Sequence, residues 1–124
     1  MNTIAVVEDN ADNRLLLHAF LGGRYEIVEY ETGPAALEGF HAKLPDLVLL
    51  DVSLPGMDGL AVVSRIRADE KLRGLPVIAL TAHAMQGDRQ RFLKAGFDEY
   101  VSKPIVDEQV LFTAIERLLS GKPR

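Results

Sequence analysis

The sequence predicts an α/β fold of the doubly wound kind, a parallel sheet with helices on both faces. Three observations predict it. Short apolar runs alternate five times with segments whose apolar residues recur at three- and four-residue steps. Three of those runs are continuously apolar, as strands covered on both faces are. The connections between segments are short, which suits successive crossovers in one sheet.

Taken in order, the first strand is predicted over Thr3–Val7. The helix after it carries the stripe Leu15, Leu16, Ala19 and Phe20, with Asp12 or Asn13 as its cap and Gly22-Gly23 as its stop. Glu26–Tyr30 mixes charged and apolar residues and reads as an edge strand. Thr32 caps a second helix behind Pro34, with Ala36, Leu37 and Phe40 inward. The runs Leu47–Leu50 and Val77–Leu80 are the third and fourth strands. Between them, Asp58 caps a helix striped by Leu60, Val63 and Ile66. Phe92, Leu93 and Gly96 mark a fourth helix, which Gly96 ends. Glu99–Ser102 is the fifth strand, and Val110, Leu111, Ala114, Ile115 and Leu118 stripe the fifth helix.

With 124 residues the chain suits one domain, and it can bury roughly two-thirds of the surface its unfolded form exposes. We expect a domain over 1–120 and a short tail over 121–124. There is no cysteine, so disulfides, thiolate zinc sites and cysteine nucleophiles are excluded. The longest apolar runs have four members, such as Ile4-Ala5-Val6-Val7, where a membrane span needs about 20. No secretory pattern opens the sequence, and the cytoplasm is the expected compartment. A formal net charge of −4 gives no basic footprint for nucleic acid.

In a doubly wound sheet, function collects at the carboxyl ends of the strands. Glu8-Asp9 follows the first strand, Asp51 ends the third, Thr81 follows the fourth and Lys103-Pro104 follows the fifth. If strands one, three, four and five are neighbours, three carboxylates, a hydroxyl and an ammonium meet at one edge. Two carboxylates about 5 Å apart repel by ~3 kcal/mol at an effective dielectric near 20, so the cluster calls for a cation. All-oxygen ligation favours Mg²⁺ or Mn²⁺.

At these positions the sequence resembles the receiver domain of two-component response regulators, the CheY-like family. The resemblance runs over essentially the whole chain. It is carried by Val7-Glu8-Asp9-Asn10, by Pro45-Asp46-Leu47-Val48-Leu49-Leu50-Asp51 running into Leu54-Pro55-Gly56-Met57-Asp58-Gly59, by Ala79-Leu80-Thr81-Ala82, by Gly96 and by Ser102-Lys103-Pro104. The stretch Thr81-Ala82-His83-Ala84-Met85-Gln86-Gly87-Asp88 is most similar to DivK-type single-domain regulators and to the receivers of hybrid histidine kinases.

The resemblance implies a flavodoxin-like (βα)5 fold with strand order 2-1-3-4-5. It makes Asp51 the phosphoacceptor, a carboxylate nucleophile towards a phosphohistidine. It assigns Mg²⁺ to Asp9 directly, to Glu8 directly or through water, to Asp51, and to the backbone carbonyl of Ser53. Lys103 pairs with a phosphoryl oxygen, and Pro104 is expected to follow a cis peptide. Thr81 and Tyr100 form a switch pair, while Ser53 and His83 tune phosphoryl lifetime.

His18 and His41 lack partners at metal-ligand spacing and read as surface or interface residues. Met57 and Met85 read as gap fillers, and Tyr25 and Tyr30 as static. Ile105 either meets a partner beside the first helix or seals the core.

The implied partners are a sensor histidine kinase or a histidine phosphotransfer domain. A downstream protein would meet the face built by the fourth helix, fifth strand and fifth helix. No direct nucleic-acid or membrane partner is expected, and the chain should be a monomer or weak dimer. It would be a phosphoacceptor switch and not a metabolic enzyme. Three alternatives stay open. One is a Mg²⁺-dependent aspartyl-intermediate phosphatase or phosphotransferase, against which Asp51-Val52-Ser53 lacks a second Asp two residues on. Another is a nucleotide- or flavin-binding domain, for which no glycine-rich phosphate loop follows the first strand. The last is a pseudo-receiver that works without phosphorylation.

Overall fold

The first apolar run forms strand β1 (Thr3–Val7) and pairs on both sides, with β2 (Glu26–Tyr30) and with β3 (Leu47–Asp51). Beyond β3 lie β4 (Val77–Thr81) and then β5 (Glu99–Ser102). Every pairing is parallel and the order is β2-β1-β3-β4-β5. The computed structural model describes residues 1–82, 88–105 and 107–120. His83, Met85 and the 121–124 tail therefore lie outside the described residues.

Among the described residues five helices alternate with the strands: α1 (Ala11–Leu21), α2 (Gly33–Ala42), α3 (Gly59–Ala68), α4 (Asp88–Ala95) and α5 (Glu108–Ser120). Alternate side chains of each strand enter opposite layers. Ile4, Val6, Leu47, Leu49, Ile78 and Leu80 pack with Leu17, Leu21, Leu111 and Ile115, which puts α1 and α5 on one face. Ala5, Val7, Val48, Leu50, Val77 and Ala79 pack with Phe40, Val62, Ile66 and Phe92, which puts α2, α3 and α4 on the other. Every residue of β1, β3 and β4 is buried, whereas β2 is half-buried at its edge.

The sheet reaches one residue further than the apolar runs at two places, taking Asp51 into β3 and Thr81 into β4. Both gains lie at the carboxyl edge.

Three local expectations are corrected. Asn10, not Asp12 or Asn13, caps α1, because its side-chain oxygen accepts the Asn13 N–H at 3.0 Å. The buried face of α1 is Leu17 and Leu21, while Leu15, Leu16 and Ala19 are exposed. A run of three leucines satisfies helical spacing in more than one phase, and packing of Leu17 and Leu21 against the sheet decides between them. In the stripes of α4 and α5, Leu93 and Val110 are exposed; Phe92, Leu111, Ala114 and Ile115 are buried.

Thr32 and Asp58 cap α2 and α3 by accepting the Ala35 and Ala61 N–H groups. Gly56, in the turn from β3 to α3, has φ +74°, and Gly96, after α4, has φ +118°, both in the region that favours glycine.

Candidate functional site

The strand order makes β1 neighbour both β2 and β3, so the chain reverses its winding there and a crevice opens at the carboxyl edge. Into that crevice β1 delivers Glu8 and Asp9, and β3 delivers Asp51. One carboxylate oxygen from each lies within 4.8 Å of the others. Glu8 and Asp51 are buried, at 1% and 2% exposure, whereas Asp9 is exposed.

Buried carboxylates need compensating donors. Asp51 Oδ1 accepts the Ser53 N–H at 3.0 Å. Glu8 Oε2 accepts the Asn10 N–H at 3.2 Å. Lys103 then supplies the charge: its Nζ lies 3.3 Å from Glu8 Oε1 and 3.3 Å from Asp51 Oδ2. The lysine follows β5 and is tied to the tip of β4, where its main-chain N–H donates to the Thr81 carbonyl at 2.8 Å. The Lys103–Pro104 peptide is cis. Burial pushes the Glu8 carboxyl above its usual range; the Asn10 N–H opposes this, the Asp51 charge adds to it and Lys103 opposes it.

Thr81 ends β4, buried, opposite Ser102 of β5, and Tyr100 lies two residues before Ser102 on the same face. The Tyr100 ring is half-buried and packs on Phe92, with centroids 5.7 Å apart and planes at 49°. Ser53 is exposed beside the Asp51 carboxylate. His83 lies outside the described residues. Ile105 is half-buried against the α1/α5 layer, and it lines a small recess with Leu16, Glu8 and Lys103.

Glu8, Asp51 and Lys103 thus converge, with Asp9 at the rim and Thr81 at the neighbouring tip of β4, its carbonyl bonded to the Lys103 N–H. The other singled-out side chains stand apart. His18 pairs with Glu29, and His41 pairs with Asp69, on the surface. Tyr25 is buried in the core and Tyr30 stacks edge-on against Phe40. Met57 packs against the α2/α3 layer.

The sequence marks Asn10 to Arg14 as the rim of the pocket where a partner histidine would enter, but it assigns Arg14 no role of its own. Arg14 donates to the main-chain carbonyl of Glu8 at 2.7 Å. Its signal was a cation in the first turn of a helix, where the dipole disfavours positive charge and another contact must hold it.

Comparison with known proteins decides the family. The family model for the response regulator receiver domain matches residues 4–116. The chain belongs to that family. Among curated proteins, the receiver is 40% identical over 104 residues to the polar-differentiation response regulator DivK of Brucella ovis, covering 83% of this chain and 85% of DivK. It is 41% identical over 111 residues to the sensor protein GacS of Pseudomonas syringae, covering 86% of this chain but only 12% of GacS. Among solved structures, the receiver domain of a sensor histidine kinase from Pseudomonas aeruginosa superposes with TM-score 0.85 at 35% identity, covering 98% of each chain. That neighbour has a magnesium ion coordinated in its active-site cleft.

Membership places this receiver in two-component signalling, where receivers act as phosphoacceptor switches with histidine kinases or phosphotransfer partners. Its oxygen-only donor set fits the ion that receivers bind, since Mg²⁺ takes one or two carboxylates and keeps waters for the rest. Among the described residues no helix is long and apolar enough to cross a membrane.

Proposed function

We propose that this receiver accepts a phosphoryl group on Asp51 from a phosphohistidine of a sensor kinase or phosphotransfer domain, in a Mg²⁺-dependent step. The observation that carries the reading is Asp51 itself, a buried carboxylate with one oxygen tied to a backbone N–H and the other beside the Lys103 ammonium. Asp51 attacks phosphorus, the P–N bond breaks, and its electron pair leaves with the imidazole, which then takes up a proton.

Glu8, Asp9, Asp51 and the Ser53 carbonyl would hold Mg²⁺ or Mn²⁺. The ion, when bound, neutralises phosphoryl oxygens as charge redistributes. Lys103 moves from Glu8 and Asp51 to a phosphoryl oxygen, a task suited to a point charge on a flexible stem. Thr81 donates its hydroxyl to another oxygen. Tyr100 then turns inward, and the α4–β5–α5 face changes for a downstream protein. A groove on that face is lined by Tyr100, Ile105, Val110 and Arg117. Ser53 and His83 tune the lifetime of the phosphoryl group. The receiver itself spans residues 1–120.

The test is transfer from a panel of autophosphorylated histidine kinases and phosphotransfer domains. Fast, Mg²⁺-dependent movement of label from one donor to this chain is expected, and no transfer from any donor, with the same donors labelling their own receivers, would overturn the reading.

A further inference from the structure

Glu8 is buried, yet it lies past the last paired residue of β1, where the β1–β3 register ends at Val7 opposite Leu50. Its N–H still finds a partner on β2, donating to the Tyr30 carbonyl at 3.0 Å. Among the described residues no strand N–H reaches its carbonyl, and a carbonyl on a buried residue needs a partner. Arg14 fills the place, with Nη1 at 2.7 Å. The guanidinium is itself held, with Nε 3.4 Å from Glu29 and Nη2 3.7 Å from Glu31. The Arg14 main chain is fixed too, since its N–H makes the first helical bond of α1 to the Asn10 carbonyl at 3.1 Å. Asn10 in turn donates its N–H to the Glu8 carboxylate. Arg14 therefore closes a ring that runs through Glu8, Asn10 and the first turn of α1.

We propose that Arg14 is a positioning residue for the cation site: by holding the Glu8 carbonyl, it sets where the Glu8 and Asp9 carboxylates stand. The proposal rests on the reading that this site binds a divalent cation. The fork of the guanidinium is what lets one side chain hold the Glu8 carbonyl just past β1, Glu29 of β2 and Glu31 beyond it at once. Without it, the peptide joining Glu8 to Asp9 loses its only side-chain anchor among the described residues, and both acids relax away from Asp51. Groups that orient ligands in this way change metal affinity by about 10–100-fold when removed.

The test titrates MgCl₂ into wild type, Arg14→Ala and Arg14→Lys, followed by amide chemical shifts, which also report whether each variant is folded. Labelling by an acyl phosphate is then measured against Mg²⁺ concentration. Arg14→Ala should raise the Mg²⁺ dissociation constant about ten-fold or more. Its labelling rate should approach wild type at saturating Mg²⁺, because Asp51 and Lys103 are untouched. Arg14→Lys, which keeps one donor and the charge, should recover part of the affinity and serves as the probe if Arg14→Ala does not fold. Unchanged Mg²⁺ affinity in a folded variant overturns the proposal, even if melting temperature falls. Absence of Mg²⁺ binding by wild type would instead strike at the cation reading itself.

Discussion

Lys103 Nζ stands 3.3 Å from Asp51 Oδ2, and the same distance separates it from Glu8 Oε1. One ammonium thus serves two buried carboxylates from different strands. Removing it leaves like charges facing each other with little water between them. In chelator-treated buffer, Lys103→Ala should lose about 3 kcal/mol by urea denaturation, near the cost of breaking a buried pair. Added Mg²⁺ should narrow the gap. Equal stability of variant and wild type without metal would show that the lysine does not neutralise the pair.

The same crowding should make the wild-type fold sensitive to metal. Stability should rise with Mg²⁺ by about 2.7 kcal/mol at a hundred times the dissociation constant, as linkage requires for a ligand bound only by the folded chain. Asp9→Asn should flatten that dependence. A denaturation midpoint indifferent to Mg²⁺ in wild type would contradict the cluster's role.

Gly59 opens α3 against the end of β3. A Cβ there would sit 2.5 Å from the Asp51 carbonyl oxygen and 2.7 Å from Val52 Cα, both backbone atoms with little freedom to yield. Gly59→Ala should cost about 1–3 kcal/mol, the usual range for overpacking, and slow labelling of Asp51. Wild-type stability and labelling would show that α3 can retreat without disturbing Asp51.

Away from the site, Asp69 accepts the Lys71 N–H at 2.8 Å and lies 2.7 Å from His41 Nε2. Burial alone raises its carboxyl, but the Lys71 N–H and His41, with the Leu72 N–H, outweigh this and hold it below the usual range. A lowered folded-state value means a stabilising contribution present above the unfolded-state value and lost as pH falls through the folded one. Its carboxyl carbon should titrate below an ordinary aspartate, and His41→Ala should move the midpoint upward. A midpoint that His41→Ala leaves in place removes the imidazole from the cause.

The parts of this architecture that the sequence displays are those where one physical requirement acts alone. β1, β3 and β4 must exclude water on both faces, and their unbroken apolar runs say so directly. The polar residues at strand tips belong to no core, so Glu8 after β1, Asp51 at the end of β3 and Lys103 after β5 are legible by position. α1 was legible as a helix but not in its rotation, because Leu15, Leu16 and Leu17 offer competing phases until packing against the sheet decides between them. The contact Arg14 makes is not legible in the sequence, because it depends on a backbone carbonyl, and carbonyls leave no trace in residue identity.

The central claim is that Asp51 takes the phosphoryl group, and acyl-phosphate labelling with Mg²⁺ followed by peptide mapping tests it most directly. Wild type should gain one acid-labile phosphoryl group on the peptide containing Asp51, and Asp51→Asn should gain none. Undiminished labelling of Asp51→Asn, or a modification mapped to another residue, would contradict the account.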